Sequence, residues 1–130
     1  MSDQDVETVK GGYEAFARGD IPGVLGILDS EAEWVEPGGG KSPSGTFSGP
    51  DSVGSEVFPP VQENFDEFSA TPEDFDDQGD TIVVTGRFTG KSKSGAELNT
   101  SFEHVWQMRD GKAVRFENKV DQDAWAAAWA

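Results

Sequence analysis

The sequence predicts an α+β domain in which helices precede an antiparallel sheet. Apolar residues recur at helical spacing up to about residue 68, and at every second residue from residue 69 onward. Asp110-Gly111 separates two of the alternating stretches and is a strong signal for a two-residue hairpin turn. Helices followed by a meander of strands pack on one face of a curved sheet. With 130 residues, the chain predicts a single domain over 1–130.

The first half of the chain predicts about three helices. Residues 4–18 carry an apolar stripe, and Asp20 caps a second helix shortly after it. A third helix is predicted over 51–68, where valines and phenylalanines form one stripe. Pro59-Pro60 should kink or interrupt this helix, because proline removes a helical hydrogen bond.

The second half predicts strands, and two segments have alternative interpretations. Residues 42–49 are either a loop or a short strand around Phe47. The tail from Asp123, with Trp125 and Trp129 four residues apart, is either a closing helix or a segment that contacts a second copy of the chain. The predicted strands are 32–36, 70–76, 81–89, 97–108 and 112–120.

The net charge of −15 at pH 7 excludes several classes of partner. Nucleic acids and anionic membrane surfaces are bound by clustered Lys and Arg, but this chain has 10 of these against 25 acids. The acids are spread along the chain and lysine is scarce. This pattern favours a surface adapted to high salt, as in a halophilic microbe, over recognition of a cationic partner.

The counts of cysteine and histidine restrict which metal sites the chain can form. The lengths of its apolar stretches restrict where in the cell we expect it. The chain has no cysteine and one histidine, which leaves only carboxylates as metal ligands, so we expect no metal and no cofactor. No stretch is long and apolar enough to span a membrane. The start of the chain is acidic and polar and lacks a secretory signal, so we expect a cytoplasmic protein.

Three polar residues from separate predicted elements are candidates for chemistry, namely Tyr13, Glu36 and Glu103. Glu36 lies between Trp34-Val35 and Pro37-Gly38 at the end of a predicted strand. A tyrosine and two carboxyl groups that converge in an apolar pocket can move a proton next to a carbonyl, provided that one carboxyl is ionised and the other is neutral.

These residues also carry a family likeness that extends over nearly the whole chain. Residues 13–20 (YEAFARGD), 27–29 and 32–38 (AEWVEPG) resemble the opening of SnoaL-like proteins and ketosteroid isomerases, which belong to the nuclear transport factor 2-like superfamily. Residues 101–106 (SFEHVW) and 109–112 resemble the last two strands of that family. The resemblance implies a cone-shaped α+β barrel with an internal pocket for a small hydrophobic molecule.

The resemblance also implies roles for single residues. Glu36 occupies the position of the isomerase base before a proline, and Glu103, before His104, occupies that of a protonated acid; the family has aspartates at both positions. Tyr13 and a neutral Glu103 would donate hydrogen bonds to the ligand oxygen while Glu36 takes a proton. In SnoaL-type cyclases the acting group is an aspartate near the end of the last strand, for which Asp121 is the candidate, although it is also placed to cap a C-terminal helix.

Alternation along residues 97–108 disagrees with the resemblance about Glu103. The alternation places Glu103 and Val105 on one face, and Phe102, His104 and Trp106 on the other, more apolar face. The pattern therefore points Glu103 outward, whereas the resemblance points it into the pocket. Besides the catalytic candidates, the residues expected to line the pocket are Trp34, Phe16, Phe58, Arg87, His104, Val105 and Asn118.

Two classes of function remain open at this point, together with one expectation about assembly. The chain is either a cofactor-free isomerase or cyclase, or a non-catalytic protein that binds a small hydrophobic molecule or a partner. We also expect a homodimer joined through the open face of the sheet, because three short helices are too few to cover Phe102, Trp106 and their neighbours.

Overall fold

The computed structural model describes residues 2–130, which form helices packed on one curved sheet of six strands. Its elements, in chain order, are α1 (Ser2–Ala17), α2 (Ile21–Leu25), β1 (Leu28–Pro37), β2 (Ser44–Ser48), α3 (Gly49–Ser52), a π-helical turn (Val53–Val57), α4 (Pro59–Asn64), β3 (Phe65–Asp77), β4 (Thr81–Ser92), β5 (Glu97–Arg109), β6 (Lys112–Val120) and α5 (Gln122–Ala128). The predicted α+β class is confirmed. The tail forms a helix, and residues 42–49 include a short strand.

The strand order of the sheet is β2-β1-β6-β5-β4-β3, and the sheet does not close on itself. All neighbours pair antiparallel except β1 and β6, which run parallel with Trp34 opposite Phe116 and Val35 opposite Glu117. The sheet is thus antiparallel, as expected, at four of its five strand pairs, and parallel at β1 and β6. The parallel register brings Glu36 of β1 next to Asn118 of β6.

The first two helices follow from local signals. Asp20 caps α2, since its carboxylate accepts a hydrogen bond from the Gly23 N–H at 3.0 Å, and Pro22 lies in the first turn. The carbonyl of Pro22 then accepts the Gly26 N–H at the C-terminal end. This tight helical corner positions α1 against the sheet.

The predicted third helix is shorter than its apolar stripe. It is divided into α3, the π-helical turn and α4, with the break at Pro59-Pro60 as expected. It ends at Asn64, and Phe65 and Phe68 belong to β3, where they face Ser92 and Gly90 of β4. The three-residue spacing of these two phenylalanines fits a helix, but the register shift between Phe65 and Glu67 gives a bulged strand the same spacing.

Two glycines on β4 allow β3 to bend closely over it. A Cβ atom at Gly86 would lie 2.2 Å from the carbonyl oxygen of Thr71, and one at Gly90 would lie 2.2 Å from that of Glu67. Only a residue without a side chain permits this approach. The resulting curvature closes one side of the space between the sheet and the helices.

The core lies between the concave face of the sheet and the helices. The pleat of β5 places Phe102, His104, Trp106 and Met108 on this face, and each is at most 3% exposed. The reason given for a dimer, that Phe102 and Trp106 would remain uncovered, is therefore wrong. No helix within residues 2–130 is long and apolar enough to cross a membrane.

Candidate functional site

An internal cavity lies between the inner face of the sheet and the helices. It measures about 80 Å³ as the space open to the centre of a water molecule. One water needs about 10–15 Å³ on this measure, so the cavity has room for several waters or for one compact ligand. Its lining is mostly aromatic and aliphatic, and the residues are Gly12, Tyr13, Phe16, Val24, Trp34, Glu36, Pro43, Val57, Phe58, Val61, Phe68, Ala70, Phe88, His104, Trp106, Phe116, Asn118, Trp125 and Trp129.

The polar residues of the cavity form one continuous series of hydrogen bonds. We call it the polar chain, and it is made of Trp106, Tyr13, His104, Asn118, Glu36 and Trp34. Its members come from α1, β1, β5 and β6 and are all at most 9% exposed. The alternation of each strand turns these residues inward, because side chains two residues apart share a face.

The first half of the polar chain connects Trp106, Tyr13 and His104. The indole Nε1–H of Trp106 donates to the Tyr13 hydroxyl oxygen at 3.1 Å. The Tyr13 hydroxyl lies 2.5 Å from Nδ1 of His104. Since the tyrosine oxygen already accepts from Trp106, its own hydrogen is donated to Nδ1, which must then be unprotonated.

The second half connects His104 to a carboxylate. Nε2–H of His104 donates to Oδ1 of Asn118 at 3.0 Å, and Nδ2–H of Asn118 donates to Oε1 of Glu36 at 3.2 Å. The other carboxylate oxygen, Oε2, accepts from Nε1–H of Trp34 at 2.6 Å. Every bond of the polar chain from Tyr13 onward is thus directed towards Glu36.

Aromatic rings hold the polar chain in place. The His104 ring stacks on Phe102 with centroids 3.8 Å apart and an interplanar angle of 9°. Tyr13 stacks on the histidine at 5.8 Å, and Phe116 packs 4.0 Å from Trp34. These contacts exclude water from the hydrogen bonds, which strengthens the bonds and raises the cost of leaving any group unpaired.

Burial shifts the pKa of Glu36 towards neutrality. Desolvation disfavours its carboxylate and raises the pKa from 4.5 to about 7, although the hydrogen bonds from Trp34 and Asn118 oppose this shift. A carboxyl group with such a pKa exists in both protonation states near neutral pH. It is suited to accept and return a proton.

Burial keeps the other two titratable groups of the cavity neutral. Desolvation lowers the pKa of His104 from 6.5 to about 3, and the bond to Asn118 opposes this only in part. Desolvation also raises the pKa of Tyr13 well above its usual value, against the hydrogen bond from Trp106. At neutral pH the cavity therefore contains a neutral imidazole, a neutral phenol and one titrating carboxyl.

The structure brings seven of the predicted site residues together at the cavity. Tyr13 and Glu36 were predicted from the sequence as catalytic groups, and the other five as pocket residues. All seven line the same cavity: Tyr13, Glu36, Trp34, Phe16, Phe58, His104 and Asn118.

Glu103 and Val105 do not line the cavity. Glu103 is exposed and Val105 is half-buried, because both lie on the outer face of β5. The resemblance turned Glu103 inward, and the alternation of the strand, which opposed this, describes the structure correctly. Glu103 consequently faces solvent rather than a ligand, and this correction removes it from the oxyanion-stabilising position.

Arg87 and Asp121 also lie outside the cavity. Arg87 is exposed on the outer face of β4, where its guanidinium donates to the side-chain oxygen of Asn99 at 2.6 Å. Asp121 is exposed and caps α5 by accepting the Ala124 N–H at 3.0 Å. Its alternative role as a helix cap, which the sequence also allowed, is the one that the structure shows.

Several aromatic residues of the cavity were missed as site residues. Trp106 shares a face with His104, so the alternation of β5 was a sufficient signal for it. Trp125 and Trp129 are one helical turn apart on α5, a spacing that indicates a shared face without saying what it covers. The indole N–H of Trp129 is buried and has no acceptor among residues 2–130. Within the same residues, no group of three or more His, Cys, Asp or Glu is placed to hold a metal ion.

Comparisons with known proteins agree with the fold. An NTF2-like protein of unknown function from Burkholderia pseudomallei is 32% identical, with 98% of each chain covered and a TM-score of 0.90. TerC, crystallised with polyporic acid, is 30% identical, with 97% of this chain and 98% of TerC covered and a TM-score of 0.87. Bal32a, from a soil-derived mobile gene cassette, shares the fold at 24% identity, with 99% and 98% covered and a TM-score of 0.89. No curated protein matches the chain.

The family assignment rests on the sequence match as well as on the shape. The pattern of the SnoaL-like domain family matches residues 9–116, which include the residues of α1, β1 and β5 that build the polar chain. The expected resemblance is therefore confirmed. The chain belongs to the SnoaL-like domain family and has the NTF2-like fold.

Proposed function

We propose that the protein binds a small, mostly apolar carbonyl compound in its cavity and moves a proton on the carbon next to the carbonyl, without a cofactor. The observation that carries this proposal is Glu36, a buried carboxylate among aromatic rings whose contacts are neutral N–H donors and whose pKa is about 7. A buried carboxyl group in a cavity with a strongly shifted pKa and no cation beside it among the described residues favours a role in function over one in stability.

In this reaction Glu36 accepts the proton and later returns it, either to the same molecule at another carbon or after ring closure. An isomerase and a cyclase both need this step. Tyr13 has its hydroxyl group at the cavity and serves as the donor to the ligand oxygen on which negative charge develops, once its hydrogen is no longer given to Nδ1 of His104. The surrounding rings exclude water and strengthen both interactions.

The relatives and one unpaired donor support a ligand of this kind. TerC, at 30% identity, was crystallised with polyporic acid, so a related chain accommodates a small organic molecule. The buried Nε1–H of Trp129 has no acceptor among residues 2–130, and Trp129 lines the cavity. A ligand oxygen that reached this nitrogen would satisfy the donor, and buried polar groups in native proteins are rarely left unpaired.

The test uses exchange of the ligand's α-protons in D₂O, which reports proton abstraction even where the complete reaction is unknown. A panel of small cyclic and aromatic ketones is incubated with the protein and followed by ¹H NMR. We expect Glu36→Gln to slow exchange by about 10²–10⁴-fold, the usual contribution of a general base. Glu33→Gln, on the exposed face of the same strand, is the matched control and should exchange at the native rate.

Binding is measured separately from exchange. All four tryptophans of the chain line the cavity, so their fluorescence reports occupancy without a label. Glu36→Gln should keep ligand affinity within a few-fold, since the apolar lining is unchanged. Exchange that survives in Glu36→Gln, or that is lost in Glu103→Gln instead, would contradict the assigned role of Glu36.

A non-catalytic binding protein is the second candidate function. It is favoured by the polar chain itself, in which the polar side chains of the cavity are mostly satisfied by one another and offer few free groups to a ligand. Saturable quenching of tryptophan fluorescence with no α-proton exchange for any bound ketone would favour this candidate.

The oligomeric state, the source and the cellular location of the protein are also proposals. We propose a homodimer formed through the outer face of the sheet, where Val35, Val83 and Val105 are half-buried. Sedimentation at micromolar concentration in high salt should then show twice the 14.0 kDa mass of the chain. The charge of −15 leads us to propose a halophilic source, and we keep the cytoplasmic location as a separate proposal.

A further inference from the structure

The polar chain ends on both sides in the indole N–H of a tryptophan, a group that donates a hydrogen bond and cannot accept one. An indole N–H only donates, so Trp34 requires an acceptor at Glu36, and Trp106 requires the oxygen of Tyr13 as its acceptor. Between these fixed ends, a tyrosine hydroxyl, a histidine and an asparagine amide can each reverse its donor and acceptor. The direction of the bonds between the two ends therefore depends on where the hydrogens lie.

With Glu36 ionised, every group has a suitable partner. Tyr13 donates to Nδ1 of His104, His104 donates from Nε2 to Asn118, and the Asn118 amide nitrogen donates to the carboxylate. Three consecutive donors thus point towards the negative charge. This is the arrangement that the structure shows.

With Glu36 protonated, the same arrangement leaves the hydrogen of the carboxyl group without an acceptor. The new hydrogen needs an acceptor, but both groups that face the two oxygens, Nε1 of Trp34 and Nδ2 of Asn118, are donors. A half-turn of the Asn118 amide exchanges its oxygen and nitrogen and provides the missing acceptor. The amide nitrogen then faces Nε2 of His104, which must be unprotonated, so the histidine carries its hydrogen on Nδ1.

At the far end, this reversal releases the hydroxyl hydrogen of Tyr13. The tyrosine oxygen now accepts from Nδ1 of His104 and from Nε1 of Trp106, and its own O–H is no longer needed inside the chain. Because Tyr13 lines the cavity, the released O–H is available to an oxygen of a ligand. Glu36 has gained one proton, while the tyrosine and the histidine carry one hydrogen each before and after.

We propose that Asn118 and His104 are positioning residues that couple the protonation of Glu36 to the orientation of the Tyr13 hydroxyl. In catalysis, a use that rests on the proposed function, Glu36 becomes protonated when the ligand oxygen gains negative charge. The equilibrium between the two arrangements then favours the one in which the Tyr13 hydroxyl is free to donate to that oxygen. The coupling itself belongs to the ligand-free protein and needs no turnover.

No other charged group of the described residues faces the polar chain. The elements packed around it contribute apolar residues to the cavity, and the titratable lining residues are Tyr13, Glu36 and His104. The charged residues of the adjoining strand positions, Arg115 and Glu117, lie on the outer face and pair with each other at 3.2 Å. A change near neutral pH in the state of His104 therefore reports Glu36.

The single histidine makes the proposal directly measurable. In untagged protein labelled with ¹⁵N-histidine, the NMR signals of the two ring nitrogens belong to His104 alone and show which nitrogen bears the hydrogen. Between pH 9 and 5 we expect the hydrogen to move from Nε2 to Nδ1 with a midpoint near 7, the pKa of Glu36. The imidazolium form should be absent, since burial lowers the pKa of His104 to about 3.

Substitutions in the polar chain distinguish two roles of Asn118 and His104, namely coupling to the protonation of Glu36 and a purely structural role. Glu36→Gln resembles the protonated carboxyl, because its amide must donate to Asn118 once its oxygen accepts from Trp34. We expect His104 to stay in the Nδ1–H form at every pH in this variant. Glu33→Gln should titrate as the native protein does, and Asn118→Ala should abolish the pH-dependent exchange between the two forms.

The possible outcomes are distinct. Retention of the Nε2–H form in Glu36→Gln, with native near-UV circular dichroism, overturns the coupling even if Asn118→Ala does not fold. The expected exchange of histidine forms without any α-proton exchange overturns the proposed function but supports the coupling. Proton exchange that depends on Glu36 while His104 keeps one form throughout supports the function and overturns the coupling.

Discussion

The two faces of the sheet place similar side chains in opposite environments. On the outer face, Arg115 lies 3.7 Å from Glu33 and 3.2 Å from Glu117, and all three side chains are about one third exposed or more. On the inner face, at positions of opposite parity on the same two strands, Glu36 and Asn118 are buried, and the groups within residues 2–130 that donate hydrogen bonds to Glu36 are neutral. The strand pleat alone decides which environment an acid meets.

The environment of an acid, and not the residue type, therefore makes it suited to proton transfer. Exposed ion pairs contribute about 0–1 kcal/mol and are weakened by salt. A buried carboxylate without a cation is destabilised as an anion, so its pKa moves into the range where it can exchange protons.

We expect the largest change in the free energy of unfolding at acid pH, and we expect it to come from His104. Its folded pKa of about 3 lies below the value of 6.5 for the unfolded chain, so the unfolded chain binds the proton more tightly and stability falls as the pH drops below 6.5. Since one pKa unit corresponds to about 1.4 kcal/mol, the loss approaches about 5 kcal/mol near pH 3. Urea unfolding from pH 7 to 4 should show a smaller dependence on pH in His104→Gln than in the native protein.

The dependence on pH, rather than the absolute stability, decides this prediction. His104→Gln also loses ring packing against Phe102, which lowers stability equally at all pH values. Equal dependence on pH in the native protein and the variant would mean that the imidazole is not held neutral by burial.

The second largest change in stability is expected from Glu36. It has the opposite sign, because this group destabilises the protein as the pH rises. Its folded pKa of about 7 lies above the unfolded value of 4.5, so the stability it confers as a neutral acid is lost as the pH rises through 7. The difference corresponds to about 3 kcal/mol on the same scale. We expect Glu36→Gln to be more stable than the native protein at pH 9, and to lose this advantage at pH 4.5.

Glu33→Gln serves as the outer-face control for this measurement. It should change stability by less than about 1 kcal/mol at both pH values, as is usual for an exposed pair. A Glu36→Gln variant that is less stable than the native protein at pH 9 would show that the carboxylate is stabilised, rather than strained, by its hydrogen bonds.

The sequence predicted much of the inner face because its signals are local. The parity of β5 separates His104 and Trp106 from Glu103, and the family motif identifies Tyr13 and Glu36. At Glu103 the family motif, an acid directly before a histidine, disagreed with the strand pattern, and the strand pattern describes the structure. Adjacent residues of a strand point to opposite faces, so Glu103 and His104 cannot both enter the cavity.

The contacts of the polar chain could not be predicted from local signals. Tyr13 and His104 are 91 residues apart, and Glu36 and Asn118 are 82 residues apart. The second contact depends on the parallel pairing of β1 with β6, a non-local arrangement that no hairpin turn announces. Burial and hydrogen bonding, and with them the pKa of each group, follow from these distant contacts.

Added salt should change the repulsion among the exposed acids but not the stability effect of the buried Glu36. The 25 acids of the chain repel one another mostly through solvent, and at 0.01 M salt this repulsion reaches over about 30 Å. We expect the melting temperature to rise steeply between dilute and molar KCl, because screening reduces this repulsion. The advantage of Glu36→Gln at pH 9 should remain at molar salt, since a buried group is poorly screened. A flat melting temperature would contradict a surface adapted to salt.

The smallest effect is expected at the outer ion pair, and it completes the contrast. A double-mutant cycle of Glu33→Gln and Arg115→Gln, measured by urea unfolding at pH 7 and low salt, should give a coupling energy of about 0.2–1 kcal/mol. The 3.7 Å separation and the exposure of both side chains limit the attraction, and molar salt should remove it. A coupling above about 2 kcal/mol that survives molar salt would mean that this ion pair is covered in solution and lies inside the proposed dimer contact, rather than beside it. In that case the two faces would differ less in burial than the single chain indicates, and the absence of a cation beside Glu36 would be what distinguishes them.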